Sequence, residues 1–376
     1  MNPIRVMVVD DSVVVRKIVT DVLSEDPGIE VVGTAVNGKV AVSKLEQLKP
    51  DLITMDIEMP EMNGIEAVRA IRGARNRVPI IMFSTLTERG ATATLDALSS
   101  GANDYVTKPA NVGSVAQSME SVREQLIPKI KALTGRPAAP VRPTARIAPP
   151  PPAAPRTGPG KKPAVLVIGS STGGPEALAK LLPQLPASLP VPILLVQHMP
   201  PVFTRQFAQR LDRLCALRVV EATDGVPLQP GTVHLAPGDH HLVVRPGRGT
   251  HTTGLHQGPP ENFCRPAVDP LFRSAVAAYD GAVLGVVLTG MGSDGRNGAG
   301  EIRAAGGTVL AQDQATSVVW GMPGAVAQAG LADEILPLDR VAEAIQRHLS
   351  GVPAVRLASP TTAPAPGRAV LFGGNR

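Results

Sequence analysis

Short apolar runs alternate with stretches of helical periodicity along the first third of the chain. The apolar runs predict five strands, at residues 4–9, 31–35, 52–55, 80–83 and 105–106. Between them, apolar residues at helical spacing predict five helices, at residues 13–23, 40–48, 64–71, 91–98 and 112–133. Strands buried on both faces appear as continuous apolar runs, so these β/α units predict a doubly wound parallel sheet.

The second half of the chain begins with the same pattern. An apolar run at 165–168 is followed by a Gly-rich turn, a helix from Pro175 and another apolar run at 193–196. Four later runs predict further strands, at residues 233–236, 242–245, 283–288 and 308–311. We therefore expect a second α/β domain with an open, Rossmann-like sheet.

Two segments have a composition that cannot form a core. Residues 135–163 consist mainly of Pro, Ala, Gly and basic residues, which is typical of an extended, semi-rigid linker. Residues 351–376 are rich in Pro, Ala and Thr, and we expect them to be disordered. The predicted domains are therefore residues 1–134 and 164–350.

The charge distribution changes what the net charge of +5 implies. Residues 136–163 carry six basic residues and residues 351–376 carry three, with no acid in either segment, which leaves a net charge of −4 elsewhere. A basic nucleic-acid-binding face is therefore disfavoured, and we expect no nucleic-acid partner.

Cysteine content and the N-terminal sequence bear on the compartment. Two cysteines exclude a disulfide framework and a cysteine metal cluster, which favours a reducing compartment. Acids stand where a signal peptide would need apolar residues, and no apolar run approaches the ~18 residues that span a bilayer. The sequence predicts a cytoplasmic protein without membrane insertion.

Polar residues stand at the ends of the predicted strands in the first domain. Asp10 and Asp11 follow the first strand, Asp56 the third, Ser84 the fourth and Lys108 the fifth. The carboxyl ends of parallel strands converge on one crevice, where three carboxylates favour a hard cation such as Mg²⁺. The hydroxyl and the ammonium group suit a phosphoryl oxyanion. The alternative is that these are ordinary loop residues or a surface ion pair.

Residues 3–125 resemble the receiver domain of two-component response regulators. The resemblance rests on VVDDS at 8–12, MDIEMPEMNGIEAVRAIR at 55–72, FSTLT at 83–87 and DYVTKP at 104–109. It implies that a histidine kinase phosphorylates Asp56. The implied site residues are Asp10, Asp11, Asp56 and the Glu58 carbonyl for Mg²⁺, Ser84 and Lys108 for the phosphoryl group, Tyr105 as the aromatic reporter, and a cis peptide at 108–109.

The Gly-rich turn at 169–175 has two interpretations. A dinucleotide-binding turn would need Gly at the position of Ser171 and an acid closing the next strand, and both are missing. A Gly-x-Ser-x-Gly elbow would instead hold Ser171 above the sheet as a nucleophile, with the backbone N–H groups that follow free to stabilise an oxyanion.

Two further residues fit a nucleophilic serine. His198 follows the next predicted strand and can accept the hydroxyl proton, and Asp294 follows the strand at 283–288 and can orient the imidazole. Either residue alone is equally compatible with a core histidine or a helix N-cap. The chain order Ser, His, Asp differs from that of α/β-hydrolases.

From about residue 165 to 349, the chain resembles the catalytic domain of the chemotaxis-type protein-glutamate methylesterase. Six blocks match in order: GSSTGGPEAL, LLVQHMPPVFTRQFAQRL, VHLAPGDHHL, CRPAVDPLFRSA, VLTGMGSDGRNGA and VWGMPGAVAQAG. The resemblance implies Ser171 as nucleophile, His198 as general base and acid, and Asp294 as orienting carboxylate, with oxyanion donors in the backbone near Thr172 and Met291. Cys264 stands where a number of relatives have His.

The two resemblances together imply a phosphorylation-activated serine hydrolase. It would demethylate glutamate methyl esters and deamidate glutamines on the cytoplasmic domains of chemoreceptors, with no cofactor for the esterase reaction. The unphosphorylated receiver domain would cover the active site. The alternatives are a response regulator whose second domain only binds a partner or DNA, and a dinucleotide-dependent oxidoreductase.

Overall fold

The computed structural model describes residues 2–108, 115–135 and 161–350. The first domain is a five-stranded parallel sheet in the order β2-β1-β3-β4-β5, with helices between the strands. Its elements are β1 (Ile4–Val9), α1 (Val13–Ser24), β2 (Ile29–Ala35), α2 (Gly38–Leu48), β3 (Leu52–Asp56), α3 (Gly64–Gly73), β4 (Ile80–Ser84), α4 (Glu88–Ser99), β5 (Asp104–Thr107) and α5 (Val115–Leu133).

The predicted doubly wound sheet is confirmed, with shifts of a few residues at element ends. The second strand begins at Ile29, two residues earlier than predicted. The predicted start of the fifth helix and Pro109, with its expected cis peptide, lie outside the described residues. The structure has a cis peptide at Arg265–Pro266.

Local sequence fixes the turn beside Asp56. The Asn63 side chain accepts from the Glu66 N–H and the Glu66 carboxylate accepts from the Asn63 N–H, each at 2.9 Å, which starts α3 at Gly64. A Cβ at Gly64 would lie 2.0 Å from the Asp56 carbonyl oxygen. Only glycine therefore lets this helix begin so close to the end of β3.

The second domain is a seven-stranded parallel sheet in the order β14-β13-β12-β6-β7-β9-β8, with a separate two-stranded hairpin of β10 and β11. Its strands are β6 (Val165–Ser170), β7 (Ile193–Gln197), β8 (Arg218–Glu221), β9 (Thr232–Leu235), β10 (His241–Arg245), β11 (Thr252–His256), β12 (Val283–Val287), β13 (Thr308–Gln312) and β14 (Glu334–Leu336). Its helices are α6 (Gly174–Leu181), α7 (Phe203–Leu214), α8 (Val268–Ala278), α9 (Arg296–Ala304), α10 (Met322–Gln328) and α11 (Leu338–Ser350).

The strand predicted at 242–245 exists but does not join the large sheet. It belongs to β10, which pairs antiparallel with β11, because β9 already has β7 and β8 on its two sides. The edge strands β8 and β14 were not predicted, since each is only three or four residues long with few buried positions. Which strands join the large sheet therefore depends on strand pairing, which the apolar pattern of a single strand does not show.

The sequence-based domain boundaries stay predictions. Most of the predicted linker, at 136–160, and the whole predicted tail, at 351–376, lie outside the described residues. The Lys161 N–H donates to the Gly306 carbonyl at 3.0 Å, so the chain already contacts the second domain there. Within the described ranges, every helix is too short or too polar to cross a bilayer.

A buried histidine on β9 introduces a pH dependence of stability. His234 is 2% exposed, and neither of its ring nitrogens has a hydrogen-bond partner among the described residues. Burial, with a contribution from Arg218, lowers the pKa of His234 from 6.5 to about 4. The folded state therefore holds this ring neutral at pH values where the unfolded chain binds a proton.

We expect the free energy of unfolding to fall as the pH drops from about 6.5 towards 4. The contribution of His234 is fully present above its unfolded-state pKa, and the loss at pH 5 is about 2 kcal/mol. Urea unfolding at pH 7 and pH 5 measures it. His234→Leu should show a smaller drop between the two pH values than the wild type, whereas the exposed-site variant His256→Leu should not. Equal drops in all three proteins would contradict the assignment.

Candidate functional site

Four of the five polar residues predicted at the strand ends of the first domain, namely Asp11, Asp56, Ser84 and Lys108, line one cavity of about 290 Å³. One carboxylate oxygen from each of Asp10, Asp11 and Asp56 lies within 4.8 Å of the others. The Lys108 Nζ is 2.8 Å from Asp56 Oδ1 and 3.1 Å from Asp10 Oδ2. The structure thus brings together the carboxylates and the lysine that the sequence analysis selected.

The electrostatics of this cluster suit a cation. Burial and the neighbouring Asp10 raise the pKa of Asp56 to about 6, against the lowering effect of Lys108. Asp56 Oδ2 is buried and accepts no hydrogen bond within the described part of the chain. An oxygen-rich cluster with an unsatisfied carboxylate oxygen fits Mg²⁺. Glu58 also lines the cavity, while its side chain pairs with Arg89 at 3.4 Å.

The predicted switch residue Ser84 and the predicted aromatic reporter Tyr105 make no hydrogen bond to Asp56 among the described residues. The Ser84 hydroxyl lines the cavity but donates to the Gly90 carbonyl at 3.1 Å and accepts from the Thr94 hydroxyl at 2.6 Å. The Tyr105 ring is stacked on Phe203 of α7, with the ring centroids 4.8 Å apart. Tyr105 therefore packs against the second domain.

Ser171 lies in the tight turn between β6 and α6, as predicted. Gly173 has a φ of +76°, which L side chains rarely adopt, and it allows the chain to enter α6. Gly290 approaches the turn so closely that a Cβ there would lie 2.9 Å from the Ser171 Cβ. The glycines on both sides therefore serve to expose Ser171 and to bring the Gly290 loop beside it.

The sheet order brings the three catalytic candidates to one edge. β6 lies between β7 and β12, so Ser171 follows the central strand, His198 follows β7, and Asp294 lies in the loop after β12. The His198 Nε2 is 2.9 Å from Asp294 Oδ2. Parallel strands thus place residues from distant parts of the chain in one crevice.

Asp294 is buried but remains ionised because donors surround it. Its oxygens accept from His198 and from the N–H groups of Val268 and Asp269, at 2.9, 2.6 and 3.1 Å. Burial raises the pKa of Asp294, but these hydrogen bonds and the His198 charge outweigh it, and the net pKa is lowered. The Asn262 Nδ2 also donates to Asp294, at 2.9 Å.

The second ring nitrogen of His198 contacts a thiol. Cys264 Sγ lies 3.4 Å from His198 Nδ1, whereas the Ser171 hydroxyl makes no hydrogen bond to His198 among the described residues. Burial lowers the pKa of His198, but Cys264 and Asp294 outweigh it and raise the pKa to about 10. In this conformation the imidazolium form is stabilised, and Ser171 would have to replace Cys264 at Nδ1 to be activated.

The backbone positions expected to bind an oxyanion have free donors. Within the described residues, the N–H groups of Thr172 and Met291 donate to no protein acceptor. By contrast, the neighbouring Ser171 N–H donates to the Thr289 carbonyl at 3.0 Å. These two N–H groups are thus available to a ligand, as an oxyanion site requires.

Sequence reasoning missed two polar residues that support this site. Asn262 links Asp294 to the buried Asp269, which accepts from its Nδ2 at 3.1 Å. The Gln197 amide accepts from the Ser170 hydroxyl at 2.7 Å and donates to the Ser171 carbonyl at 3.0 Å. Gln197 stands beside His198 in the sequence, but neither residue has a spacing signal for its partners.

The first domain covers this edge of the second. The Thr172 hydroxyl donates to Asp104 Oδ2 at 2.7 Å, and Arg210 of α7 contacts Asp96 of α4 at 2.6 Å. A cavity of about 430 Å³ remains between the domains, lined on one side by Tyr105, Thr107, Gln125 and Lys129 and on the other by His198, Met199, Pro200, Phe263, Cys264, Arg265 and Pro266. Access to His198 therefore passes beside the first domain.

Comparison with known proteins identifies both domains. Residues 166–345 match the family model described as CheB methylesterase, and residues 6–120 match the response regulator receiver domain. The chain is 65% identical over 357 residues to a protein-glutamate methylesterase/protein-glutamine glutaminase of Nocardioides sp., covering 93% of this chain and 96% of that protein. A protein of the same description from Trichodesmium erythraeum is 51% identical over 354 residues, covering 93% of this chain and 100% of that protein.

Two solved structures resemble the separate domains. The Thermotoga maritima CheB methylesterase catalytic domain is 45% identical, with a TM-score of 0.48, and covers 49% of this chain and 97% of that one. The response regulator domain of Thermotoga maritima CheB is 43% identical, with a TM-score of 0.32, and covers 36% of this chain and 100% of that one.

Proposed function

The chain belongs to the CheB methylesterase family with an N-terminal receiver domain, and from this premise we propose that it is a serine hydrolase acting on methylated chemoreceptors. The family makes it a phosphorylation-regulated enzyme of chemotaxis. This membership disfavours both the oxidoreductase and the binding-only interpretations. The observation that carries the proposal is the His198–Asp294 pair, at 2.9 Å, beside the Ser171 turn at one edge of the sheet.

The proposed reaction begins at the γ-methyl ester of a receptor glutamate. Ser171 Oγ attacks the ester carbonyl, and His198 accepts the hydroxyl proton at Nδ1, because Nε2 is bonded to Asp294. The N–H groups of Thr172 and Met291 bind the developing oxyanion. The C–O bond then breaks and His198 protonates the leaving methoxide, giving methanol.

Water completes the cycle. It attacks the acyl-enzyme while His198 accepts one of its protons, and collapse of the second tetrahedral intermediate releases the glutamate carboxylate and the Ser171 hydroxyl. An amide follows the same steps with ammonia as the leaving group. Deamidation of receptor glutamines therefore needs no further catalytic group, and the esterase reaction needs no cofactor.

Regulation is proposed to act through the covering receiver domain. A histidine kinase would supply the phosphoryl group to Asp56. Mg²⁺, held by Asp10, Asp11, Asp56 and the Glu58 carbonyl, would neutralise charge on the phosphoryl oxygens. Movement of Lys108 and Ser84 towards the phosphoryl group would disturb β4 and β5, and with them the Tyr105–Phe203 and Asp104–Thr172 contacts.

Opening of the covered site by phosphorylation requires a large change in free energy. Turning a 99% covered population into a 99% open one takes a differential free energy of about 5.5 kcal/mol. A single strong hydrogen bond does not supply this amount. Phosphorylation would therefore need to weaken several of the contacts between the domains together.

Methanol release tests the proposal and its regulation. We expect the purified protein to release methanol from methylated receptor cytoplasmic fragments, faster with acetyl phosphate and Mg²⁺ than without. Asp56→Asn should keep the basal rate and lose the stimulation entirely, because the amide cannot accept the phosphoryl group. The matched control Asp51→Asn, at an exposed acid near the start of β3, should respond like the wild type. No release from any methylated receptor would contradict the proposed substrate, and stimulation that persists in Asp56→Asn would contradict the phosphorylation site.

A further inference from the structure

A four-residue turn beside the active site holds an unusual backbone. Glu261 and Cys264 exchange N–H to carbonyl hydrogen bonds of 3.1 and 2.8 Å, and the two residues between them have φ values of +51° for Asn262 and +63° for Phe263. Tight turns with two left-handed central residues favour Asn, Asp and Gly. Asn262 fits this preference, but Phe263 occupies a position where a bulky side chain is strained.

The side chains of this turn point in opposite directions. Asn262 donates to Asp294 and Cys264 contacts His198, so the residues on either side of Phe263 contact the charged pair of the active site. The Phe263 side chain is instead 92% exposed, the most exposed of the large apolar residues in the described chain. Phe263 and His198 line the same cavity between the domains.

Ion pairs fix both ends of the turn. Arg273 binds Glu261 through two hydrogen bonds of 3.0 and 2.7 Å, and Arg265 binds Asp239 at 2.9 Å. The turn therefore holds the ring in solvent, and within the described part of the chain no packing of the ring offsets the strained backbone. Strain of this kind at an active site indicates a function for the exposed side chain.

We propose that Phe263 is the docking residue for the protein substrate: its ring binds an apolar patch of the segment that carries the methyl ester and so aligns the ester with Ser171. This inference rests on the proposed function. An aromatic side chain that becomes buried at the centre of a protein contact contributes a large share of the binding energy. A small ester that enters the cavity would not contact the exposed Phe263 ring, so we expect only a larger protein substrate to use it. Because the ring is exposed while the receiver domain covers the site, it can contact the substrate before that domain moves.

Phe263→Ala in the full-length protein tests the docking function. We expect KM for methylated receptor fragments to rise about 10- to 30-fold with kcat little changed. Hydrolysis of a short soluble peptide with one glutamate γ-methyl ester should stay at the wild-type rate. Ile335→Ala, at a 49% exposed apolar residue on edge strand β14, is the matched control and should leave KM and kcat for both substrates unchanged.

Phe263→Gly separates docking from support of the fold. Glycine adopts positive φ without strain, so this variant should melt at a higher temperature than the wild type while showing the same rise in KM as Phe263→Ala. A purely structural side chain would not move stability and KM in these opposite senses. Binding of receptor fragments to Ser171→Ala, with and without Phe263→Ala, measures the same loss of affinity without turnover.

Three results would overturn the inference. KM and affinity for receptor fragments could stay unchanged in both Phe263 variants. Peptide and receptor hydrolysis could fall equally, which would assign the ring to the geometry of the site. The variants could alter only the response to acetyl phosphate, which would assign it to the receiver domain. Failure of the wild type to hydrolyse receptor fragments that it nevertheless binds through Phe263 would contradict the proposed reaction instead.

Discussion

Ser171→Ala should lower methanol release by about 10⁴-fold or more. The substitution removes the oxygen that forms the acyl-enzyme, while the His198–Asp294 pair and the free N–H groups of Thr172 and Met291 are left in place. Only the slow attack of water on a bound ester would then remain. Methanol release from methylated receptor fragments, measured with acetyl phosphate and Mg²⁺ present, checks this expectation.

The control must lose a hydroxyl elsewhere in the same domain. Ser274 of α8 donates to the Leu271 carbonyl at 2.9 Å and lies outside the site, so Ser274→Ala should hydrolyse the ester at nearly the wild-type rate. Activity of Ser171→Ala within tenfold of the wild type would contradict the assignment of the nucleophile. In that event, loss of the remaining activity on adding Cys264→Ala would assign the nucleophile to the thiol that contacts His198.

Asp294→Asn should lower kcat by about 10⁴-fold with KM little changed. Three donors face Asp294 Oδ1, namely Asn262 Nδ2 and the N–H groups of Asp269 and Gly295, so the amide oxygen will take that position. The amide NH₂ then faces His198 Nε2 and forces the ring proton onto Nδ1. The imidazole is left in the tautomer that cannot accept the Ser171 proton.

The same substitution should also destabilise the fold. The NH₂ group faces the Val268 N–H, which loses its acceptor, and a buried unsatisfied donor costs about 1–3 kcal/mol. Asp333→Asn is the matched control, because the Asp333 carboxylate also accepts a backbone N–H, from Val309 at 2.8 Å, but at an exposed position away from the site. Urea unfolding and kcat should both change in Asp294→Asn, and only unfolding in Asp333→Asn. Equal kcat in the two variants would sink the orienting function of Asp294.

The contacts between the two domains adjoin the candidate active site. His198 Nδ1 contacts Cys264, the Ser171 hydroxyl is not bonded to it, and Thr172 next to Ser171 is bonded to Asp104 of the receiver. Against the lowering effect of burial, Cys264 and Asp294 raise the pKa of His198, which favours the charged ring in this arrangement. We expect release of the Asp104–Thr172 contact to be part of activation, because it changes the turn that carries the nucleophile.

The two α/β domains could be predicted from the sequence, and so could most of the residues that meet at the candidate site. Apolar runs mark strands buried on both faces. Polar residues that follow such strands converge on the carboxyl edge of their own sheet, as Asp10 and Asp56 do in the first domain and Ser171 and His198 do in the second. These inferences depend only on local pattern and on a general rule of sheet geometry.

The residues that complete the site and the contacts between the domains could not be predicted from the sequence. The pairing of β10 with β11, the Asn262–Asp294 and Cys264–His198 contacts and the stacking of Tyr105 on Phe203 join residues at separations that follow no period. Such contacts are fixed by strand order, by the path of loops and by packing between domains, which local sequence does not encode. The left-handed backbone at Phe263 has the same origin, because ion pairs at both ends of its turn impose a conformation that its own side chain disfavours.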